Sequence, residues 1–332
     1  MAYTGAELLA ALNSPDTELD PLAIEFLYRD TVTMIAADPG VGKSTVATNI
    51  AVDLALGQPV FGRFAVPKPC RVFYLQLEGS FLESKKRLRL IRESQKVLPT
   101  TSWCVENLVW ESWDAPLNVL KQDHVDMMVD YISGHGLFDL IIIDPIYMCV
   151  GGDLSKSDVA NGFVRFSNTL RTSFNCGVLH LHHNHRPQKD TQHRVIEEEE
   201  AFYGSIYLKA HVDVSFSAKK QLAGGGRGGH FILTTRKNRN DNITPVITLD
   251  YDHEFYTLKA IEDPNELDTT SKILEGLSRL KKSGQNITTF SQVLSTVSVS
   301  TASLRRFARD TLAQEFVTFD RISGNKTMWR LK

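Results

Sequence analysis

Short apolar runs alternate with amphipathic stretches along the first two thirds of the chain. Four runs are β-branched or continuously apolar, as is typical of buried strands: residues 31–36, 71–77, 138–143 and 177–181. The stretches with helical spacing between them are residues 43–56, 80–97 and 157–174. Strands that alternate with helices predict an α/β fold with a mostly parallel sheet.

The pattern changes after residue 210, where strand spacing continues without helices. The segments concerned are residues 211–218, 230–236, 244–250 and 254–260. We expect antiparallel strands there that extend the parallel sheet.

A polar stretch with Pro264, at residues 261–268, predicts a linker, and it divides the chain into domains 1–262 and 263–332. The second domain shows three helical patterns and then two short strands. The helical patterns are residues 270–283, 289–295 and 301–315, and the strands are residues 316–322 and 327–331. Three helices followed by a hairpin is the element order of a winged helix-turn-helix.

The composition, with 42% hydrophobic and 23% charged residues, is ordinary for a globular protein. No apolar run approaches the roughly 18–20 residues that a membrane span needs, so we expect no membrane insertion. The N-terminus carries Glu7 and no basic cluster, which argues against a secretory signal. The four cysteines are scattered, as free thiols in a reducing cytosol are, so a cytoplasmic location is expected.

The charge is uneven, although the net charge is only −2. Residues 271–332 hold eleven Lys and Arg against four Asp and Glu. A basic tail on an acidic body suggests that the tail meets something anionic.

A glycine-containing loop after the first apolar strand is the strongest chemical signal in the chain. It consists of Asp38, Pro39, Gly40, Val41, Gly42, Lys43, Ser44 and Thr45, with Ala37 where such loops usually begin with glycine. The glycines let backbone N–H groups face phosphates, and the following helix directs its positive end at them. In this spacing, Lys43 reaches the β- and γ-phosphates and the Ser44 hydroxyl ligates Mg²⁺, which predicts a nucleotide site.

Two carboxylates follow other apolar strands. Asp144 ends the run at residues 138–143, where a magnesium-side ligand of such sites lies. Glu78 follows residues 71–77 in the same way, and a carboxylate beside the γ-phosphate can deprotonate the attacking water. The alternative for both is a turn or capping carboxylate, which Pro145 also favours for Asp144.

The segment from His180 to His185 is dense in imidazole. Alternation places His180 and His182 on one face of a strand, but no Cys or carboxylate with ligand spacing accompanies them, so metal binding is the weaker interpretation. His182 or His183, at the end of this strand, is instead a candidate to sense the γ-phosphate. Buried histidines with purely structural partners remain the other interpretation.

Taken in order, the segments AADPGVGKST, YLQLEG, FDLIIIDP and HLHHN resemble the RecA-fold ATPases. The closest resemblance is to the hexameric replicative helicases of the plasmid RepA type, which are similar to the DnaB-type motor domain. It covers about residues 20–260 and implies a RecA-like P-loop core with ATP and Mg²⁺ between the subunits of a ring or filament.

The resemblance also assigns roles. It implies that Glu78 is the general base, that Asp144 serves magnesium, and that His182 or His183 is the sensor. In these motors a Lys-x-Arg pair on a late strand reaches the neighbour's γ-phosphate, and Lys237 and Arg239 match that pair. An arginine supplied in trans stabilises charge in the transition state. An exposed basic turn is the alternative.

Several basic residues are candidates for nucleic-acid contact. Loops after the nucleotide strands carry Lys156, Arg186, Lys189 and Arg194, although the acidic run at residues 197–200 does not suit an anion-binding loop. In the predicted winged helix the candidates are Arg305, Arg306, Arg309 and Lys326. For the winged helix, protein contact and simple solvation stay open beside nucleic-acid binding.

These patterns lead to an ATP-dependent nucleic-acid motor, and most specifically to a hexameric replicative DNA helicase of a plasmid, phage or mobile element. Single-stranded or forked DNA would be its partner, with a replication protein at the winged helix. Two alternatives remain. One is a recombinase- or loader-like ATPase that binds DNA without unwinding it. The other is a regulatory ATP-binding switch whose winged helix binds DNA or protein.

Overall fold

The computed structural model describes residues 19–95, 106–115, 117–154, 156–183, 206–222, 229–239 and 243–261, with shorter pieces at 4–5, 9, 273, 276–281, 287–289, 293, 317–322 and 326–331. The chain forms two compact units, Met1–Ile261 and Glu262–Lys332. Each unit is built around its own β-sheet.

The first unit contains eleven strands and five helices among its described residues. The strands are β1 (Pro21–Ala23), β2 (Leu27–Tyr28), β3 (Val32–Ala37), β4 (Val72–Gln76), β5 (Leu108–Ser112), β6 (Leu140–Asp144), β7 (Gly177–His183), β8 (Val214–Leu222), β9 (Gly229–Asn238), β10 (Val246–Asp252) and β11 (Thr257–Ile261). The helices are α1 (Lys43–Leu56), α2 (Phe81–Ser94), α3 (Gln122–Gly134), α4 (Ser157–Phe174) and α5 (Ile206–His211), with a 3₁₀ turn at Ile146–Cys149.

Nine strands form one sheet in the order β11-β10-β9-β8-β3-β7-β6-β4-β5. From β5 to β8 every neighbouring pair is parallel, and from β8 to β11 every pair is antiparallel. The predicted α/β fold, with a mostly parallel sheet extended by antiparallel strands, is confirmed. Because β3, β4, β6 and β7 run in parallel, the loops that follow them meet at one edge of the sheet, where ligands of such folds bind.

Both faces of the sheet are covered. On β3, Met34 and Ile35 are fully buried and belong to different clusters, because successive strand residues point to opposite faces. The Ile35 side packs with α1, while the Met34 side packs with α3, α4 and α5. Burial on both faces explains why β3 is apolar apart from Thr33, and β6 apart from its last residue, Asp144.

Some elements were not predicted or were misplaced. The β1–β2 hairpin, β5 and α3 were missed, since β1 and β2 are two or three residues long and β5 is only half-buried. Residues 211–218 were expected to be a strand, but His211 ends α5 and β8 begins at Val214. Between them Asp213 Oδ2 accepts a hydrogen bond from the Val32 backbone N–H at 2.9 Å, which fixes the turn into β8.

The second unit contains a three-stranded antiparallel sheet. Its strands are β12 (Ile287–Thr289), β13 (Val317–Ile322) and β14 (Lys326–Leu331), in the order β12-β14-β13. Thr289 ends β12, where the sequence predicted the start of a helix. Lys326 begins β14, whereas Arg305, Arg306 and Arg309 lie outside the described residues. Across the described parts of both units, no helix has the length and apolarity of a membrane span.

Phe26, in the β1–β2 hairpin, is fully buried and lies 5.7, 5.0 and 5.3 Å, ring centre to ring centre, from Phe61, Phe64 and Phe216. Phe26→Ala is expected to lower the free energy of unfolding by about 3–5 kcal/mol, because it leaves a cavity in this aromatic cluster. Urea unfolding measures the change. Leu137→Ala, at a position 71% exposed, is the control and should change stability by less than about 0.5 kcal/mol. Equal effects would contradict the packing described.

Candidate functional site

The loop between β3 and α1 has the backbone of a phosphate-binding turn. Gly40 and Gly42 adopt φ angles of 77° and 106°, which favour glycine over residues with a Cβ. Gly42 caps α1, which begins at Lys43 and so directs its unpaired N–H groups at the loop. Ala37, the departure from the usual loop, is buried as the last residue of β3.

Lys43 is only 5% exposed, and its ammonium points back under the loop. It donates hydrogen bonds to the carbonyl oxygens of Ala37 and Asp38 at 3.0 and 3.2 Å, and it lies 3.1 Å from His183 Nδ1. Burial lowers the pKa of Lys43 to about 8, against the opposing charges of Asp144, Asp38 and Glu78. The site therefore holds a desolvated cation that gains from an incoming anion.

Asp144 ends β6 and is 6% exposed. Its Oδ2 accepts a hydrogen bond of 2.6 Å from the Tyr74 hydroxyl, and its carboxylate is also hydrogen-bonded to the Ser44 side chain. Burial raises the pKa of Asp144, and these two hydrogen bonds oppose the rise. A hydroxyl and a carboxylate thus meet at the start of α1, and both are oxygen ligands of the kind that Mg²⁺ prefers.

Glu78 lies two residues beyond β4, with its side chain 52% exposed. Its Oε2 is 3.8 Å from His183 Nε2, and its carboxylate is also hydrogen-bonded to Tyr147. The Tyr147 ring packs edge-on against His183, with 5.1 Å between the ring centres. His183 therefore lies between the Lys43 ammonium and the Glu78 carboxylate.

Glu78, Tyr147 and His183 border an open pocket of about 470 Å³. It is lined by Pro39, Glu78, Tyr147, Gly152, Asp153, Leu154, His182 and His183. Burial, and after it the charge of Lys43, lowers the pKa of His183, so its ring is neutral near neutral pH.

The three strand histidines have different surroundings. His183 contacts Lys43, and His182 is buried against the pocket. His180 is fully buried, lies 2.9 Å from Ser167 Oγ through its Nε2, and packs against Phe163. Among the described residues no group of three or more His, Cys, Asp or Glu side chains is arranged to hold a metal ion.

Lys237 and Arg239 lie at the amino ends of the parallel strands, opposite the edge of the sheet that carries the phosphate loop. Arg239 pairs with Asp213 at 3.0 Å, and Asp213 is bonded to the amino end of β3. The phosphate loop follows the carboxyl end of this six-residue strand, about 17 Å away at roughly 3.3 Å per residue. Both cations also donate to the Ala210 carbonyl oxygen. The structure therefore does not bring them to the phosphate loop of their own chain.

Of the four loop residues expected to contact nucleic acid, the described part of the chain contains Lys156. It is exposed at the start of α4, and its N–H donates to the Asp153 carbonyl oxygen at 3.0 Å, beside the pocket. Arg186, Lys189 and Arg194 lie outside the described residues.

Sequence reasoning missed Tyr74, Tyr147 and Arg87. Arg87, on α2, donates to Thr48 Oγ1 at 3.4 Å, one helical turn beyond Ser44. A signal existed for Tyr74, since a hydroxyl inside a fully buried strand needs a partner. Nothing in the sequence indicates that this partner is Asp144.

A family model described as an AAA domain matches residues 4–189, more than half of the chain. The chain belongs to this AAA-domain family. The matched residues include the phosphate loop, Glu78, Asp144 and His183, whereas Lys237 and Arg239 follow the match.

Solved structures support the fold of this AAA-domain protein. A DnaB-like replicative helicase, whose structure was described with its interactions with primase, is similar with a TM-score of 0.53 and 16% identity. The match covers 77% of this chain and 67% of that one. At this identity the likeness shows the fold alone, and it supports the RecA-like core that the resemblance implied. No curated protein matches the sequence significantly.

Gly42 offers a direct test of the loop of this AAA domain. A Cβ there would lie 2.8 Å from the Phe231 ring, in addition to the strain of the positive φ. Gly42→Ala is therefore expected to lower the free energy of unfolding by about 1–3 kcal/mol. Gly134→Ala is the control, because a Cβ there meets nothing within 4 Å. Denaturant unfolding of both variants checks this, and equal stabilities would contradict the loop conformation.

Proposed function

We propose that this AAA-domain protein is a magnesium-dependent ATPase that works as a nucleic-acid motor of the replicative DNA helicase type. The observation that carries the proposal is the array of Lys43, His183 and Glu78 beside the Ser44–Asp144 pair. One buried cation, two carboxylates and an imidazole are thereby gathered beside one phosphate-binding loop. This set has the groups that phosphoryl transfer to water requires.

The loop and Lys43 would bind the phosphates of ATP. The ammonium already lies among carbonyl oxygens and a neutral imidazole, so phosphate oxygens would give it a stronger partner. Ser44 and Asp144 would hold Mg²⁺, because their oxygens face each other at the start of α1. The ion would neutralise charge on the phosphate oxygens. Tyr74 keeps the Asp144 carboxylate oriented from behind.

Glu78 would take a proton from the attacking water. Its carboxylate is half-exposed at the rim of the pocket, so water reaches it, while Tyr147 and His183 limit its orientations. His183 would act as the phosphate sensor. When a γ-phosphate draws Lys43 away from His183 Nδ1, the change passes to Glu78 through the other ring nitrogen.

The motor function needs a second subunit in this proposal. Lys237 and Arg239 lie at the amino end of β3, whereas the phosphate loop of their own chain follows its carboxyl end, so they would serve the site of a neighbour in a hexameric ring. DNA would pass along Lys156, Arg186, Lys189 and Arg194. The structural similarity to a DnaB-like replicative helicase supports this choice over other DNA-binding ATPases.

The C-terminal unit would be the winged helix. Its three-stranded sheet suits a β-wing, and the sequence provides Arg305, Arg306, Arg309 and Lys326 for a nucleic acid, with a replication protein as the other partner. The unit is basic, as duplex binding requires. In this proposal the gene lies on a plasmid, phage or mobile element, because a motor that carries its own DNA-binding module suits such an element.

Glu78→Gln is expected to bind ATP normally and to hydrolyse it about 10²–10⁴-fold more slowly, because only the general base is removed. Fluorescent-nucleotide titration measures affinity, and phosphate release measures turnover. Asp114→Asn is the matched control and should keep turnover. Asp114 is a carboxylate beyond the end of the neighbouring strand β5, and no contact described for it is with Lys43, Ser44, Glu78, Asp144 or His183. Loss of affinity with unchanged turnover per bound ATP would refute the base role of Glu78.

Mixing two inactive variants, Lys43→Ala and Arg239→Ala, should restore part of the hydrolysis. In mixed rings some interfaces pair an intact phosphate loop with an intact arginine. Arg239→Lys should not act like the wild type, because an ammonium lacks the planar fork of the guanidinium. Phosphate release across mixing ratios checks this, with native mass spectrometry to show that mixed oligomers form. Mixed oligomers without any recovery would show that Arg239 does not act in trans.

A further inference from the structure

Gln76 has no role in the mechanism above, yet its side-chain amide makes four hydrogen bonds. It is the last residue of β4, is 4% exposed, and precedes Glu78 by two residues. Its backbone pairs with Asp144 on β6 and with Ser112 on β5. The side chain therefore lies where three strands end.

All hydrogen-bonding positions of the Gln76 amide are used. Nε2 donates to the carbonyl oxygens of Glu78 and Gly79, both at 3.1 Å. Oε1 accepts from Ser84 Oγ at 2.6 Å and from Trp110 Nε1 at 3.0 Å. A primary amide offers two donors and accepts two bonds, so no capacity is left over.

The two donated bonds hold the backbone that carries Glu78. Gly79 has a φ of 82°. Ser80 caps α2, and its side chain accepts a hydrogen bond from the Leu82 N–H. Between β4 and Ser80, the Glu78 and Gly79 carbonyl oxygens accept from the Gln76 amide. On the other side, Ser84 on α2 and Trp110 on β5 hold the amide itself.

We infer that Gln76 is the positioning residue for Glu78 and sets the place of its carboxylate through the backbone of the β4–α2 turn. The inference rests on the proposed function of Glu78 as general base and deepens it. The side chain of Glu78 is half-exposed, and the contacts described for it, with Tyr147 and His183, limit its orientation but do not fix the backbone from which it projects. Its position over the pocket is consequently set by its backbone, and misplacement of a catalytic group by about 1 Å can cost about 10²-fold in rate.

The chemistry of the site requires an amide at position 76. A glutamate has the same length and still accepts from Ser84 and Trp110, but it lacks the N–H groups that reach the Glu78 and Gly79 carbonyl oxygens. Gln76→Glu therefore removes both donated bonds when the carboxyl is ionised and at least one of them when it is protonated, and it retains the accepted ones. Ser84→Ala with Trp110→Phe does the reverse, since it leaves the two donated bonds and frees the amide from its anchors.

We expect Gln76→Glu to lower kcat by about 10- to 100-fold while the affinity for ATP changes by less than about 2-fold, since the phosphate loop is untouched. Gln122→Glu is the matched control, because Gln122 is exposed on α3 and bonds only Asp126 among the contacts described for it. It should keep the wild-type kcat. If the Gln76 variant keeps the wild-type kcat as well, the inference is wrong.

A double-mutant cycle separates positioning from general damage. In a Glu78→Gln background, Gln76→Glu should change single-turnover hydrolysis by less than about 2-fold, because the group it positions is gone. An equal loss in both backgrounds would overturn the inference. If Glu78→Gln alone keeps full turnover, the proposed function of Glu78 fails and the positioning role falls with it. If Glu78→Gln loses turnover while Gln76→Glu keeps the wild-type kcat, the positioning role alone fails.

Should Gln76→Glu fail to bind nucleotide, the double variant Ser84→Ala, Trp110→Phe decides the question. Its nucleotide affinity should stay within about 2-fold of the wild type, while kcat falls by about 3- to 10-fold because the amide keeps its donors but loses its anchors. This result would support the positioning role. An unchanged kcat in this variant would overturn it.

Discussion

The rest of the site depends on the burial of the Lys43 ammonium. It is taken out of water by the turn of the phosphate loop and is left with two backbone carbonyl oxygens and the ring of His183. Burial lowers the pKa of the ammonium to about 8, because the cost of desolvation outweighs the opposing charges of Asp144, Asp38 and Glu78. A polyanion that enters the loop relieves that cost, so the fold itself favours phosphate binding.

The order of the parallel strands brings the other chemical groups of the site close to Lys43. β7 lies beside β3, so His183 reaches Lys43, and β6 and β4 follow in the sheet with Asp144 and the Glu78 turn. Each chemical group thus comes from a different segment of the chain. The antiparallel strands run from the phosphate loop, where Phe231 lies against Gly42, to the opposite edge, where Arg239 pairs with Asp213. One chain therefore holds its phosphate loop and its candidate trans arginine at opposite edges.

Features encoded by local sequence were predictable. The spacing of Gly40, Gly42 and Lys43 specifies a phosphate-binding loop. The apolar runs predicted β3 and β6, and the helical spacing predicted α1 and α4, each to within two residues at either end. The carboxylates at strand ends were predictable as well, because a parallel sheet gathers such ends. Their roles in catalysis remain predictions.

Features that depend on strand order were not predictable. Tyr74 reaches Asp144, and Gln76 reaches Trp110, only because β4 lies between β6 and β5. A single sequence does not reveal that order. The start of β8 was misplaced for a similar reason, since Asp213 is fixed by the distant Val32.

One measurement tests most directly whether this edge of the sheet is an ATPase site. It is the rate of phosphate release from ATP by the full chain, compared with the rate of the Lys43→Ala protein. We expect release that requires Mg²⁺, rises when single-stranded DNA is added, and is absent from the Lys43→Ala protein. Release that is no faster than that of the Lys43→Ala protein, with and without DNA, would contradict the assignment of the site.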